Sequence, residues 1–215
     1  MKHLWINRQG NNELLIFFNG GGMDGRPFGH LAADDLDVLM FYDYRDLCLP
    51  ELKLEYTRIN VVAWSFGVWA YAASGLKLPC SRVIAFGGTL RPIDEQEGID
   101  PAVFMSTVEN WDEAGRTKFY RRICGGAAGF EAFTLPARSV ESQVEELKVI
   151  GLGAMGTDIE AHFTRAFIGE QDRIFAVDAQ LNSWSKRGVK TVILPEAHYM
   201  FGHYHYWKEL LFHED

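Results

Sequence analysis

Short runs of consecutive apolar residues recur along the chain, and turn-forming or helix-length segments separate them. Most of these runs are apolar throughout, which is typical of strands covered on both faces, as in parallel sheets. Residues 2–6 form a further predicted edge strand. The pattern therefore predicts a mostly parallel, doubly wound α/β sheet with strands at residues 13–18, 37–41, 59–63, 82–86, 165–168 and 189–194.

Helix-length segments between these runs complete the pattern. They predict helices at residues 66–74, 175–187 and 204–212. The interval 91–164 breaks the alternation, because it holds several helix-like patches and a glycine-rich stretch. We therefore expect one structural domain, with an α/β core formed by residues 1–90 and 165–215 and a small helical cap inserted at residues 91–164.

The composition agrees with a folded domain. Of 215 residues, 47% are hydrophobic, and 21 Lys and Arg against 29 Asp and Glu give a formal net charge of −8. This balance excludes intrinsic disorder and makes nucleic acid a poor partner. No apolar run approaches the roughly 20 residues of a membrane span, and the first eight residues lack the apolar stretch of a secretory signal. We expect a cytoplasmic protein without membrane contact.

The segment around Ser65 carries the strongest chemical signal. A strand-like run ends at Trp64, and a helix-like run begins at Phe66. A nucleophile elbow has this strand–serine–helix order and needs small residues two before and two after the serine, because the chain turns sharply there. Ala63 and Gly67 satisfy this requirement, although Gly is the usual first residue. A helix N-cap is the alternative role for such a serine.

Three consecutive glycines at residues 20–22 follow the first strand of the predicted parallel sheet. Glycines let a backbone turn tightly and direct N–H groups into a cleft. In enzymes with a nucleophile elbow, one such N–H and the N–H after the nucleophile hold the developing oxyanion. We assign these roles to the backbone amides of Gly21 and Phe66. A plain glycine-rich turn and a phosphate cradle are the alternatives, and the cradle lacks its usual Gly-Lys-Ser/Thr ending.

An acid and a histidine follow the last two predicted strands. Asp172 stands just past residues 165–168, and His198 stands just past residues 189–194. Side chains at these positions reach a site along the carboxyl edge of a parallel sheet. The order Ser65, Asp172, His198 is that of the α/β-hydrolases and differs from the chymotrypsin-like and subtilisin-like orders. We predict an α/β-hydrolase-like serine hydrolase that uses this triad and needs no metal or organic cofactor.

Both the acid and the histidine have alternatives in the sequence. The predicted acid is also a natural N-cap or first-turn residue of the next helix, and Asp158 or Asp43 takes its place if the strands are miscounted. The predicted histidine competes with His203 and His205. The three histidines together are an alternative metal site, although their spacing matches no established zinc motif.

Four motifs together resemble one family. They are F-N-G-G-G-M-D at residues 18–24, A-W-S-F-G-V-W at 63–69, G-x-x-D at 169–172 and L-P-x-A-H at 194–198. In so short a chain they are similar to the motifs of BioG-type pimeloyl-[acyl-carrier protein] methyl ester esterases, and the likeness covers most of the chain. The resemblance implies a compact α/β-hydrolase with a helical cap that hydrolyses the methyl ester of pimeloyl-acyl-carrier protein, releases methanol and ends the synthesis of the pimeloyl chain for biotin.

The implied partner is acyl-carrier protein, an acidic protein that bears a phosphopantetheine-linked acyl chain. Docking of such a partner on a chain that is itself acidic needs a local basic patch. We expect this patch in the cap, at Arg116, Lys118, Arg121 and Arg122, with Arg138 further on. Charged residues that merely face solvent are the alternative.

Two other functions fit the same residues. A generic short-acyl carboxylesterase or a thioesterase uses the same triad with a different pocket. A hydrolase-like fold kept as a binding module with an inactive site is the non-enzymatic alternative. The presence of Ser, Asp and His in the order of active enzymes argues against that module.

Overall fold

One seven-stranded sheet organises the protein, whose computed structural model describes residues 1–212. Its strands are β1 (Lys2–Asn7), β2 (Glu13–Phe18), β3 (Asp37–Tyr42), β4 (Arg58–Trp64), β5 (Arg82–Phe86), β6 (Arg165–Gly169) and β7 (Thr191–Leu194). They lie in the order β1-β3-β2-β4-β5-β6-β7. β1 pairs with β3 in the antiparallel sense, and the other pairs are parallel. The mostly parallel sheet predicted from the apolar runs is confirmed.

Helices connect the strands along the chain, and some of them pack against the sheet. None of those in residues 1–212 is long and apolar enough to cross a membrane. Two 3-10 helices occupy Arg26–Phe28 and Trp207–Leu211. The α-helices are α1 (Phe66–Ala73), α2 (Pro101–Glu109), α3 (Glu113–Ile123), α4 (Ala127–Ala132), α5 (Val140–Ala154) and α6 (Val177–Lys186).

The interior strand β2 shows why residues 14–18 are all apolar. Leu14, Ile16 and Phe18 belong to one buried hydrophobic cluster, and Leu15 and Phe17 belong to another. Successive side chains of a strand point to opposite faces of the sheet. Both faces of β2 are therefore covered from Leu14 to Phe18, and these five positions are apolar because none of them meets water.

The interval 91–164 holds α2, α3, α4 and α5 between β5 and β6. Within it, α5 packs against α2. These helices lie in the interval where the sequence places its helix-like patches. The division into a core and a cap stays a prediction, and residues 213–215 of the predicted core lie outside the described part of the chain.

The helix predicted at residues 204–212 is shorter than expected, because only Trp207–Leu211 is helical and it forms a 3-10 helix. The N–H of Ala32 donates to the His205 carbonyl (2.8 Å), and the N–H of Trp207 donates to the Ala32 carbonyl (2.9 Å). These strand-like hydrogen bonds hold the backbone at residues 205–207 out of helical geometry. The Glu209 carboxylate accepts the N–H of His205 (2.7 Å), so that a 3-10 helix begins only at Trp207.

Candidate active site

Ser65 lies at the sharp turn between β4 and α1. Its backbone has φ 57° and ψ −127°, a conformation that L-residues rarely adopt. Its N–H donates to the carbonyl of Phe86 on β5 (2.9 Å). A Cβ atom on Gly67 would lie 2.2 Å from the carbonyl oxygen of Phe18, so only glycine lets α1 approach β2 this closely. The turn has the strand–serine–helix geometry that the sequence indicates.

Two glycines that the sequence analysis missed support the same turn. Gly88 follows β5, and a Cβ atom there would lie 2.3 Å from the carbonyl oxygen of Ser65. Gly87 has φ 51°, and its Cβ would lie 3.0 Å from Cε of Met200 and 3.3 Å from Nδ1 of His198. A signal was available, because a Gly-Gly pair directly after a buried strand marks a close approach of two backbones.

Ser65, His198 and Asp172 form a continuous hydrogen-bonded row. Oγ of Ser65 lies 3.0 Å from Nε2 of His198, and Nδ1 of His198 lies 2.8 Å from Oδ2 of Asp172. All three residues are buried. An ionised carboxylate only accepts hydrogen bonds, so Asp172 keeps the imidazole proton on Nδ1 and leaves Nε2 to accept from the serine hydroxyl. The row is therefore arranged for proton transfer from the serine to the histidine.

The carboxylate of Asp172 is held by its own loop and by α6. Oδ1 accepts the N–H groups of Ile174 (2.8 Å) and Phe175 (3.0 Å). Oδ2, which faces His198, also accepts the side-chain amide of Gln180 (3.1 Å). Three N–H donors thus fix the carboxylate in one orientation. No motif in the sequence indicates that Gln180 contacts this carboxylate. The contact depends on the position of α6, which carries Gln180.

Aromatic rings fix the imidazole of His198. The ring of Phe175 stacks nearly parallel to it, with centroids 5.8 Å apart and an interplanar angle of 9°. The ring of Trp64 lies 5.4 Å away, and its indole N–H donates to the His198 carbonyl (3.0 Å). Trp64 therefore supports the histidine as well as lining the cleft beside Ser65.

The two alternative acids lie in other environments. Asp158 is exposed, in the segment before β6. Asp43 is buried after β3, where its carboxylate accepts two N–H groups of Arg45 (2.8 and 2.9 Å). Burial raises the pKa of Asp43, but hydrogen bonds from Arg45 and Lys2 and the charge of Arg138 lower it to about 2. Of the three candidate acids, Asp172 is the one whose carboxylate lies within hydrogen-bond distance of His198.

The alternative histidines are exposed. Nδ1 of His203 lies 3.3 Å from Oε1 of Glu196, and the backbone N–H of His205 is bound by Glu209. Across residues 1–212, no three His, Cys, Asp or Glu side chains are grouped so that they could hold a metal ion. The three-histidine metal site therefore has no geometric support in this part of the chain.

Ser65 lines an open cleft, whose space together with the solvent at its mouth is about 620 Å³. Gly21 and Phe66 line it beside the serine, and a Cβ atom on Gly21 would lie 3.1 Å from Cδ2 of Phe66. The two predicted oxyanion donors are thus neighbours. The exposed side chains of Arg122 and Arg173 also line the cleft. Most of its remaining wall is apolar and comes from Ile99, Val103, Phe104, Trp111, Phe119, Ile123, Leu147 and Ile174.

Two polar side chains of α5 hold the glycine loop at residues 20–22. The buried carboxylate of Glu146 accepts the N–H groups of Gly22 (3.0 Å) and Tyr44 (3.0 Å), and it pairs with Arg138. Gln143 donates to the Gly22 carbonyl (2.7 Å). Burial raises the pKa of Glu146, although the charge of Arg138 and the Tyr44 amide act against that rise. The loop is therefore fixed to α5 on both sides of Gly22.

The residues of the predicted basic patch lie in different environments, some of them buried or ion-paired and others exposed. Arg138 is buried, with Nη2 3.2 Å from Asp43 and Nη1 paired with Glu146. The expectation that Arg138 extends the patch is therefore wrong, because Arg138 is buried in ion pairs with Asp43 and Glu146. Arg116 pairs with Glu113 (2.7 Å) and donates to the Arg138 carbonyl (2.9 Å).

The three other cations of the predicted patch are exposed on α3. Lys118 and Arg122 lie one turn apart and line a groove between α2 and α3. The guanidinium of Arg121 lies 5.3 Å from the centroid of the Phe130 ring on α4. Their role in binding a partner stays a prediction.

Comparison with known sequences gives three likenesses. A sequence profile described as "Pimeloyl-ACP methyl esterase BioG" matches residues 1–210. A Bacteroides fragilis protein named malonyl-[acyl-carrier protein] O-methyltransferase is 40% identical over 195 residues, which cover 87% of this chain but only 39% of that protein. A Haemophilus influenzae protein named only as uncharacterized is 34% identical over 219 residues, covering 99% of this chain and 100% of that protein.

Comparison with solved structures shows the fold. The crystal structure of BioG from Haemophilus influenzae matches with a TM-score of 0.90 and 32% identity, covering 98% of this chain and 99% of that chain. MenH from Staphylococcus aureus matches with a TM-score of 0.58 and 15% identity, covering 93% of this chain and 92% of that chain. The second likeness concerns the fold alone. The fold is that of the α/β-hydrolases, which confirms the predicted fold class.

Proposed function

Because the chain belongs to the BioG family of pimeloyl-ACP methyl esterases, we propose that it is a serine carboxylesterase that hydrolyses the methyl ester of pimeloyl-acyl-carrier protein and releases methanol. The observation that carries this proposal is the hydrogen-bonded row of Ser65, His198 and Asp172. The row provides the nucleophile, base and orienting acid that ester hydrolysis requires. It opens on an apolar cleft that suits an aliphatic chain.

The first half of the proposed reaction forms an acyl-enzyme. Oγ of Ser65 attacks the ester carbonyl carbon while Nε2 of His198 takes the hydroxyl proton, and Asp172 stabilises the resulting imidazolium. The amides of Gly21 and Phe66 donate to the carbonyl oxygen as it becomes negative. The imidazolium then gives its proton to the departing methoxy oxygen, so that methanol leaves and the acyl group remains on the serine.

The second half repeats the sequence with water. His198 takes a proton from water as the water oxygen attacks the acyl carbon, and the amides of Gly21 and Phe66 again hold the oxyanion. The imidazolium returns a proton to Oγ of Ser65 as the acyl–oxygen bond breaks. The products are pimeloyl-acyl-carrier protein, with its terminal carboxylate no longer esterified, and the regenerated enzyme.

The proposed carrier is acyl-carrier protein with a phosphopantetheine-linked acyl chain. The name of the Bacteroides relative, which contains a counterpart of this chain, refers to an acyl-carrier protein and to methyl transfer. The charge of −8 on the chain disfavours an acidic carrier except at a local basic surface. The exposed cations Lys118, Arg121 and Arg122 provide that surface, and Arg116 contributes less because Glu113 already pairs with it.

The test is incubation of the purified protein with methyl pimeloyl-acyl-carrier protein, followed on a native gel that resolves the added negative charge of the free carboxylate. We expect complete conversion, with carrier that already bears the free acid as the unchanged control. Release of the free carrier thiol would indicate a thioesterase. Hydrolysis of p-nitrophenyl acetate alone would indicate a generic short-acyl carboxylesterase, and the absence of every reaction would indicate a binding module.

The hydrogen bonds of Glu146 predict a loss of turnover when its charge is removed. A glutamine has one acceptor oxygen, so Glu146→Gln keeps at most one of the N–H contacts to Gly22 and Tyr44 and leaves Arg138 facing an amide. The loop that carries Gly21 then shifts relative to the serine. We expect kcat for p-nitrophenyl acetate to fall about tenfold or more with KM changed less than about twofold.

The neighbouring variant Glu145→Gln is the matched control. Glu145 is exposed on the same helix and pairs with Arg45 at the surface (2.7 Å). It should retain wild-type kcat. Circular dichroism at the assay temperature establishes that both variants are folded. Equal kcat for Glu146→Gln and the wild type would show that the loop does not depend on this carboxylate.

A further inference from the structure

A groove between α2 and α3 continues from the serine cleft. It has about 970 Å³ of open space. It runs along α2 and its C-cap residue, from Val103 to Asn110, for two turns or roughly 10 Å. The cleft and the groove are continuous because five residues line both of them, namely Val103, Thr107, Trp111, Phe119 and Arg122.

The lining of the groove mixes apolar and hydrogen-bonding groups. Trp111 and Phe119 supply aromatic surface, and Val103 is 51% exposed although it is apolar. Ser106 on α2 and Asn110, the C-cap residue of that helix, supply polar side chains. A ligand with alternating alkyl and amide segments matches such a surface, because its apolar parts cover the rings while its amides keep hydrogen-bond partners.

Two free cations lie on the α3 side of the groove. Lys118 and Arg122 are exposed and line it one turn apart. Within residues 1–212 neither of them forms an ion pair, whereas Arg116 pairs with Glu113 and Arg121 lies over the Phe130 ring. Two unshared cations on one helix face are suited to a phosphate group.

We propose that this groove binds the phosphopantetheine arm of the carrier-bound substrate, with the acyl chain directed towards Ser65 and the phosphate held by Lys118 and Arg122. The inference rests on the proposed function and deepens it, since it assigns the phosphate of the arm to two cations of the basic surface, Lys118 and Arg122. Because the groove and the cleft are continuous, the methyl ester reaches Ser65 while the arm lies in the groove and the carrier protein stays at the surface.

The first test measures binding without catalysis. Calorimetry with 4′-phosphopantetheine compares the wild type with Arg122→Glu and with Arg121→Glu, the adjacent cation that lies outside the groove. We expect Arg122→Glu to raise Kd about tenfold or more and Arg121→Glu to leave it unchanged. Pantetheine, which lacks the phosphate, should not distinguish the variants. Equal effects of both variants, or no binding to the wild type at millimolar ligand, would overturn the proposal.

The second test obstructs the groove. Ser106→Trp places a large ring in it, and Met105→Trp places the same ring at an exposed position of α2 that lines neither the groove nor the cleft. We expect Ser106→Trp to raise KM for methyl pimeloyl-phosphopantetheine about tenfold more than KM for p-nitrophenyl acetate. Met105→Trp should match the wild type. Identical behaviour of the two tryptophan variants contradicts the proposed path.

The two tests separate this inference from the proposed function. Binding of phosphopantetheine that depends on Arg122 supports the groove even if methyl pimeloyl-acyl-carrier protein is not hydrolysed, and in that case only the proposed reaction fails. Hydrolysis of the carrier-bound ester with normal KM in Ser106→Trp and Arg122→Glu has the opposite meaning, because the reaction then proceeds without the groove.

Discussion

Ser65→Ala is expected to abolish hydrolysis of methyl pimeloyl-acyl-carrier protein and of p-nitrophenyl acetate. The variant keeps the turn between β4 and α1 but lacks the oxygen that His198 activates. Loss of the nucleophile from a triad lowers kcat by about 10⁶-fold. Folding should change by about 1 kcal/mol or less, since only one hydrogen bond to the imidazole is lost. Steady-state kinetics and thermal unfolding measure the two effects separately.

The matched control for this variant is Ser74→Ala at the other end of α1. Its hydroxyl donates to the Tyr71 carbonyl (2.7 Å) and lies outside the cleft, so kcat should match the wild type. Labelling with a fluorophosphonate gives an independent readout, because it marks the activated serine covalently. Wild-type turnover in Ser65→Ala, or equal labelling of that variant, would remove Ser65 from the mechanism.

The sequence was enough to predict that the three site residues meet, because each of them follows a predicted parallel strand. Parallel strands that run side by side bring the residues after them to one edge of the sheet, whatever the loops between them do. Ser65 follows β4, Asp172 follows β6 and His198 follows β7. The sharp turn at Ser65 could also be predicted, because the small residues it requires, Ala63 and Gly67, are its neighbours in the sequence.

The residues that hold these groups could not be predicted, because their partners are distant in the sequence. Glu146 meets Gly22 across 124 residues, and no local pattern links α5 to the glycine loop. Arg138 looked like a surface cation, yet Asp43 and Glu146 enclose it.

Tertiary contacts also decide local structure against the sequence pattern. Residues 204–212 look helical along the chain, but pairing with Ala32 extends the first part of that segment. A helix-like pattern reports only what a segment favours alone, and two backbone hydrogen bonds from elsewhere in the fold are enough to change the outcome.

The hydrogen bonds of Asp172 predict the effect of Asp172→Asn in atomic detail. The N–H groups of Ile174 and Phe175 require an acceptor at the Oδ1 position, so the asparagine oxygen is fixed there and its NH₂ group takes the place of Oδ2. That NH₂ then faces Nδ1 of His198 and the side-chain amide of Gln180, which are both donors in the present structure.

An NH₂ donor at that position reverses the imidazole tautomer. Nδ1 of His198 must then accept, the proton moves to Nε2, and Nε2 can no longer take the proton of Ser65. We expect kcat to fall by about 10⁴-fold, the loss typical of this substitution in a Ser-His-Asp triad. Kinetics with p-nitrophenyl acetate measure it, and Asp158→Asn, at an exposed aspartate, is the matched control with unchanged kcat. If Asp158→Asn shows the large loss and Asp172→Asn does not, the orienting acid lies elsewhere and the hydrogen bond between Asp172 and His198 is not the one that directs proton transfer.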